Sequence, residues 1–188
     1  MRYAAQQELT RYLAHFPDEF QRLTALQAQL LDPAGEDIFA RTTMRGHITA
    51  SALVLSADHS KLLLIHHRII GRWLQPGGHV EPGQDLWASA CREVAEETGV
   101  SAVERLALGP LGAMPIDIDS HAIAANPRKG EAAHWHHDFL YLARADDSIA
   151  LQAQLDEVHA VRWAPLAWLA EAGEARWRLI AAKLQAFI

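Results

Sequence analysis

The stretch GGHVEPGQDLWASACREVAEETGV, residues Gly77 to Val100, carries the reading of this chain. It opens with a turn rich in glycine and proline, runs through about four helical turns, and stops at Gly99, a residue suited to a left-handed helix cap. A helix is therefore expected from about Gln84 to Thr98. Leu86, Ala90 and Val94 line its apolar stripe, while Glu93, Glu96 and Glu97 stand at i, i+3 and i+4 and share the opposite face. That placement is locally unfavourable. Carboxylates in the last turns sit at the negative end of the helix dipole, where each costs roughly 0.3–1 kcal/mol, and each neighbouring pair adds repulsion of about 0.2–0.5 kcal/mol. Arg92 can pair with Glu96 at i+4, but one guanidinium does not neutralise three carboxylates. A hard divalent cation with oxygen ligands does, and Mg²⁺ is the usual choice where a substrate adds phosphate oxygens. A bare triplet of glutamates would otherwise read as a solvated acidic face.

Working outward, two stretches of alternating and apolar residues precede this helix, HITASALVLS and KLLLIHHRI, separated by the polar turn Ala57-Asp58-His59-Ser60. They predict a hairpin. Further strands are expected over Ala102 to Ile116, His134 to Ala145 and Val158 to Trp163, with a closing helix over Ala175 to Phe187. Mixed strands with few helices favour an α/β sandwich over a doubly wound sheet. At the other end, Ala5, Leu9, Tyr12, Leu13 and Phe16, then Phe20, Leu23, Leu26, Leu30 and Leu31, fall at helical intervals. Two helices follow, the second starting at Pro17-Asp18-Glu19 and ending at Asp32-Pro33 with Gly35. Residues 1–40 thus read as a helical N-terminal extension and 41–188 as the main domain. The amphipathic extension also offers a contact for a homodimer.

Composition narrows the function. A length of 188 residues with 50% hydrophobic content is enough for a core without staples. The net charge of −6 argues against a nucleic-acid clamp or a membrane-surface binder acting by bulk attraction. The single cysteine, Cys91, excludes an internal disulfide and a multi-thiolate zinc site, fits a reducing cytoplasm, and reads as a small buried residue. No apolar run has the length to cross a bilayer. Gln6, Gln7 and Glu8 interrupt the N-terminus where a signal peptide needs an apolar core, so that end reads as mature chain.

The glutamate helix and its approach resemble the signature of the Nudix hydrolase superfamily: a glycine, five residues, Glu, seven residues, then Arg-Glu-aliphatic-x-Glu-Glu-x-Gly-aliphatic. Gly78, Arg92, Glu93, Val94, Glu96, Glu97, Gly99 and Val100 match it. With each residue type near one in fifteen, six fixed matches arise by chance about once in ten million positions. One position departs: the first glutamate is Gln84 here, with Asp85 and Glu81 beside it. Glutamine can hydrogen-bond but supplies no charge. The family pattern of hairpin, box, later strands and closing helix fits roughly Gly46 to Ile188.

The resemblance implies a Nudix-like α/β/α sandwich with a mixed sheet. It implies metal-dependent hydrolysis of a phosphoanhydride in a nucleoside diphosphate linked to another moiety, with nucleoside triphosphates, ADP-ribose and nucleotide sugars all open. Mg²⁺, with Mn²⁺ as a substitute, would neutralise diphosphate oxygens and activate water for in-line attack. The partner is then a small nucleotide, neither a nucleic acid nor a membrane. Carried over residue by residue, Glu93, Glu96 and Glu97 are the expected metal ligands, with the backbone carbonyl of Gly77 as a further one, and Arg92 orients the cluster. Glu93 is the first candidate for the general base. Among later carboxylates, Glu157 ranks ahead of Asp156 and Glu131, because it precedes VRWAPL, which is similar to the family's closing strand. Arg68 and Arg72 are candidates for holding phosphates, and Trp73 and Trp135 for stacking on a base. The Trp73 to Gly78 run, WLQPGG, lacks the Pro-Gln-Gly-Gly order associated with dinucleoside polyphosphate cleavers. The other readings are a regulatory module on the same fold that binds a nucleotide with little turnover, to which Gln84 gives the only sequence support, and isomerisation of isopentenyl diphosphate, for which Cys91 sits in the wrong context.

Eleven histidines remain. On one strand His134 and His136 face the same way and His137 oppositely. With His79 or His121, the first two would suit a transition metal or substrate phosphates, or simply line a hydrated pocket.

Overall fold

The centre of the molecule is β1 (His47–Ser56), whose ten residues HITASALVLS are all buried. A computed structural model describes residues 1–32, 34–127 and 130–187. Burial on both faces explains why β1 reads as a near-continuous apolar and small-residue run: it lies mid-sheet, running parallel to β7 (His134–Ala145) with His47 opposite His136 and Ser56 opposite Ala145. On its other edge β1 pairs antiparallel with β2 (Lys61–His67) and β4 (Gly77–His79). The predicted hairpin forms, its turn held by Asp58, whose Oδ1 accepts from the Ser60 amide at 3.0 Å. The eight-stranded mixed sheet runs β3 (Trp73–Leu74), β2, β1, β7, β5 (Glu104–Arg105), with β6 (Pro115–Ile123) paired to β7 and β8 (Val158–Pro165) to β2.

Helix α3 (Leu86–Thr98) carries the glutamates. Asp85 caps its start by accepting from the Ala88 amide at 2.7 Å. Gly99, at φ 78°, ends it in the left-handed conformation, with its N–H donating to Ala95 O at 3.0 Å. The Glu93 side chain of α3 abuts Gly78, which pairs with Ala50 of β1. Arg176 of α5 (Ala175–Gln185) reaches Asp138, which pairs with Thr49. Neighbouring positions of a strand face opposite ways, so α3 and α5 cover opposite faces of the sheet. The result is the α/β/α sandwich. A short helix, α4 (Trp168–Glu171), precedes α5.

The strand expected over Ala102 to Ile116 is broken. Only Glu104–Arg105 pairs, a 3₁₀ turn occupies Gly109–Leu111, and the strand resumes as β6 at Pro115 and continues to Ile123. Gly109 and Gly112 take φ of 53° and 72°, which stops the strand, and Pro110 between them has no N–H to donate to a ladder. The alternation that builds β6 is Ile116 and Ile118 buried against one layer, with Asp117, Asp119 and His121 facing the other.

At the N-terminus the two expected helices appear as α1 (Arg2–His15) and α2 (Thr24–Leu31), but the segment starting at Pro17 is 3₁₀ through Leu23. Pro33, expected to help stop the second helix, lies outside the described residues. Ala5, Leu9, Tyr12, Leu23, Leu26 and Leu30 join the same apolar cluster as β1, β7 and α5. Most of the stripe read as a dimer contact is therefore buried within its own chain, while Phe20 and Leu31 stay exposed. A charged network reinforces that closure. Buried Asp117 accepts from Tyr12 Oη at 3.1 Å, Arg22 Nη2 at 2.6 Å, Lys183 Nζ at 2.9 Å and, through Oδ2, Arg176 Nε at 3.0 Å. Glu19 completes it with Arg22, Tyr12 and Lys183. Burial opposes ionisation of Asp117, but Arg176, Lys183 and Arg22 outweigh it and hold the carboxyl well below the usual carboxylate range. Among the described residues no helix is long and apolar enough to cross a membrane.

Candidate active site

Glu93 and Glu97 project from α3 into the fold, 8% and 3% exposed, and the loop before β8 brings Glu157 to them. One carboxylate oxygen from each lies within 4.8 Å of the other two. Glu96 is not in this group. At about 100° per residue, Glu93 and Glu97 are separated by roughly 40°, whereas Glu96 is turned the other way and lies roughly 40° from Arg92. Its Oε2 accordingly accepts from Arg92 Nη1 at 2.5 Å. The three glutamates expected on one face thus split into two inward carboxylates and one outward partner for Arg92.

Arg92 is the hub of the outward side. Its Nη2 donates to Glu93 Oε1 and to the carbonyl of His79, both at 2.8 Å, and its Nε to Gln84 Oε1 at 3.3 Å. Gln84, at the departing position of the motif, therefore orients Arg92 and stays out of the carboxylate group. The β4 glycines explain the close approach. A Cβ on Gly77 would fall 2.3 Å from Ser51 Cβ, and one on Gly78 would fall 2.5 Å from Glu93 Oε1. Gly77 meets the site through its N–H, which donates to Glu97 Oε2 at 3.0 Å.

Gly78→Ala isolates that contact, because the three atoms nearest the added Cβ are the far end of the flexible Glu93 side chain. The Glu93 carboxylate swings off Arg92, the melting temperature stays close to that of the parent, and turnover falls about a hundredfold, as a displacement of roughly 1 Å can produce. Steady-state kinetics beside a thermal melt read both; unchanged turnover would detach Glu93 from the chemistry.

Burial pushes the Glu97 carboxyl up to about 8, against the Gly77 N–H and with help from Glu93, Glu157 and Glu96. Burial also raises Glu93, with Arg92 opposing. A folded-state value of about 8 above an ordinary 4.5 means the native state holds a proton that the unfolded chain has released. The stability contribution is then fully present below about pH 4.5 and is lost as pH rises toward 8. In EDTA, denaturant midpoints should fall over that window, and saturating Mg²⁺ should remove the slope; a flat profile in EDTA would mean Glu97 ionises freely.

The donor set fits a hard divalent cation, since it is all oxygen and its members repel one another when ionised. The remaining expected residues are placed as follows. Arg68 clamps the loop of Glu157: its N–H donates to Glu157 O at 3.0 Å and its Nη1 to Leu155 O at 2.8 Å. Arg72 pairs with Glu174. One face of Trp73 is covered by Arg162, whose guanidinium carbon lies 4.0 Å from the ring centre, and its edge meets His66. Trp135 is exposed. Cys91 has its thiol pushed up to about 11 by burial, which removes it as a nucleophile at neutral pH. A cavity of about 370 Å³, lined by Leu166, Leu169, Ala181 and Leu184 among others, touches none of these residues.

Residues 46–183 match the NUDIX domain. The chain belongs to the Nudix family. The fold agrees: a Nudix-family hydrolase from Clostridium perfringens superposes with a TM-score of 0.55 at 21% identity, covering 75% of this chain and 95% of that one. An Ap4A hydrolase from C. elegans does so with a TM-score of 0.53 at 20% identity, covering 74% and 96%. Among curated proteins, a CMP-5'-(N-acetyl-N-hydroxy-3-aminopropyl)phosphonate hydrolase from Streptomyces rubellomurinus is 27% identical over 79% of this chain and 66% of its own. An RNA pyrophosphohydrolase from Bradyrhizobium diazoefficiens is 59% identical, but over 34 residues, 18% of this chain and 20% of its own length. The chain thus spans about a fifth of the RNA pyrophosphohydrolase it matches. The likeness to that Nudix enzyme is confined to a short stretch, and the wider one runs through most of the chain.

Proposed function

We propose that this Nudix chain is a metal-dependent pyrophosphohydrolase that cleaves a phosphoanhydride in a small nucleoside diphosphate derivative, of the nucleoside triphosphate, ADP-ribose or nucleotide sugar class. The observation that carries the reading is the convergence of Glu93, Glu97 and Glu157 on one point. Two are buried and mutually repelling, an arrangement that favours a cation. The breadth of the match to a hydrolase named for a CMP-linked phosphonate supports a small nucleotide over RNA, since the RNA pyrophosphohydrolase likeness spans only 34 residues.

Glu93, Glu97 and Glu157 would hold Mg²⁺, or Mn²⁺ in its place, beside the Gly77 peptide. The bound ion supplies charge neutralisation at the diphosphate and activation of water for in-line attack. Arg92 fixes the Glu93 carboxylate, and Glu96 and Gln84 fix Arg92. The proton of the attacking water goes to Glu157 in this reading, because Glu157 is exposed while Glu93 is buried and engaged with Arg92. Arg68 positions Glu157 through its loop. Arg72, whose partner Glu174 lies at the surface, is able to exchange that ion pair for a substrate phosphate. The half-buried Trp73 beside it supplies an apolar edge. A cytoplasmic setting suits the lone thiol of Cys91 and a nucleotide substrate.

The test is a panel of nucleoside triphosphates, nucleotide sugars, ADP-ribose, dinucleotides and 5'-triphosphorylated RNA, incubated with Mg²⁺, Mn²⁺ or EDTA, with products quantified. Cleavage of one small-nucleotide class that EDTA abolishes is the expected result. Binding without cleavage across the panel would replace the enzyme with a nucleotide-sensing module, and preferential cleavage of the RNA would overturn the substrate class.

A further inference from the structure

A second cluster of ligating groups stands apart from the carboxylates. The first residue of β1, His47, the last residue of β4, His79, and His136 of β7 each present a ring nitrogen within 4.8 Å of the other two. The sheet register creates the grouping: His47 pairs with His136, and His79 pairs with Thr49, two residues along the same face of β1. Nε2 of His79 lies 3.1 Å from Nε2 of His47, and Nε2 of His134 lies 3.3 Å from Nε2 of His136. Four imidazoles thus converge, with His47 ring centres 4.7–5.0 Å from the other three.

Hydrogen bonding fixes which nitrogen is offered. Nδ1 of His47 is 3.3 Å from the Thr43 carbonyl, and Nδ1 of His134 is 2.7 Å from the Ala132 carbonyl. A carbonyl only accepts, so each Nδ1 carries an N–H and Nε2 is the nitrogen left facing the cluster. Metal-binding histidines are held in this way, with the far N–H tied to a carbonyl. The spacing also suits a metal. Ligand nitrogens at about 2.0–2.1 Å from a tetrahedral ion are separated by roughly 3.3 Å, close to the two Nε2 separations. Burial, with the neighbouring rings, lowers the basicity of His79 to about 4 and His136 to about 2, and burial also lowers His47.

We propose that His47, His79 and His136, with His134 as fourth ligand, form a binding site for one transition-metal ion of the zinc class, separate from the carboxylate site. All-imidazole donors favour such an ion over Mg²⁺. The ion ties the start of β1 to β4 and β7, and His79, whose carbonyl accepts from Arg92, connects it to the start of the glutamate helix. The site therefore acts as a staple beside the catalytic box.

The test uses the full chain, stripped of metal and titrated with Co²⁺ in place of Zn²⁺. One equivalent should produce the intense visible bands of a tetrahedral nitrogen-ligated ion. His79→Asn and His136→Asn should each weaken that binding by more than about tenfold, while Glu97→Gln leaves the bands in place. Absence of the bands, or their survival in both histidine variants, overturns the proposal; loss of the bands in Glu97→Gln alone reassigns the ion to the carboxylates. Should the histidine variants fail to fold, ¹⁵N spectra of histidine in the unmodified protein decide. Zn²⁺ must shift the Nε2 resonances of His47, His79 and His136, and unmoved resonances overturn the site.

Discussion

Glu97→Gln should lower turnover by about a thousandfold or more at saturating Mg²⁺ while the fold stays intact. The substitution keeps the shape and, through its amide oxygen, an acceptor for the Gly77 N–H at 3.0 Å, but it removes a full negative charge from the buried pair. Metal assistance is worth several kcal/mol of transition-state stabilisation, and each 1.36 kcal/mol is a factor of ten in rate. The same change relieves repulsion with Glu93 and Glu157, so in EDTA the variant should melt at or above the parent temperature near pH 8. The opposite movements distinguish a ligand from a structural residue. Parental turnover in this variant would take Glu97 out of the metal site.

Asp117→Asn should produce the largest loss of stability. The carboxylate is fully buried and is shared by Arg22, Arg176 and Lys183, with Lys183 itself nearly buried. Removing one partner of a buried ionic group costs about 3–5 kcal/mol, because the remaining charges are left uncompensated. At roughly 2–4 °C per kcal/mol for a chain of this size, the melting temperature should drop by about ten degrees. Far-ultraviolet circular dichroism during heating measures it. A shift under two degrees would mean that the cations find water or other partners. The N-terminal helices should be the first part to protect poorly in hydrogen exchange, since Tyr12, Glu19 and Arg22 hold them to Asp117.

The parts legible in the sequence were those with a local signal. Asp85 and Gly99 bracket α3 as a cap and a stop, and its apolar stripe and acidic cluster can be read directly from spacing. Glu157 was reachable because it precedes a strand pattern. Other features depend on partners far away in sequence. Asp117 and Asp119 look like solvated residues in IDIDS until α5 and the 3₁₀ segment bring Arg176 and Arg22 to them. His47 was missed because a lone histidine at the head of an apolar strand carries no signal; its meaning comes from the parallel register with His136, 89 residues away. The outward turn of Glu96 toward Arg92 could not be read from the i, i+3 and i+4 spacing, because it depends on where the loop of Glu157 and β4 meet the helix.

The contact between Tyr12 and Lys183, which spans 171 positions, also governs the order of assembly. During synthesis α1 leaves the ribosome well before α5 and must wait through the 171 positions between Tyr12 and Lys183 before the group that completes its burial exists. Together with the parallel pairing of β1 and β7, this weights the topology toward distant contacts, and such topologies fold slowly because loop closure precedes the compensating contacts. Until then Leu9, Tyr12, Leu23 and Leu26 stay open to solvent, a surface for holding chaperones to grip and for nascent chains to share. Helix α5 is thus the clasp that closes α1.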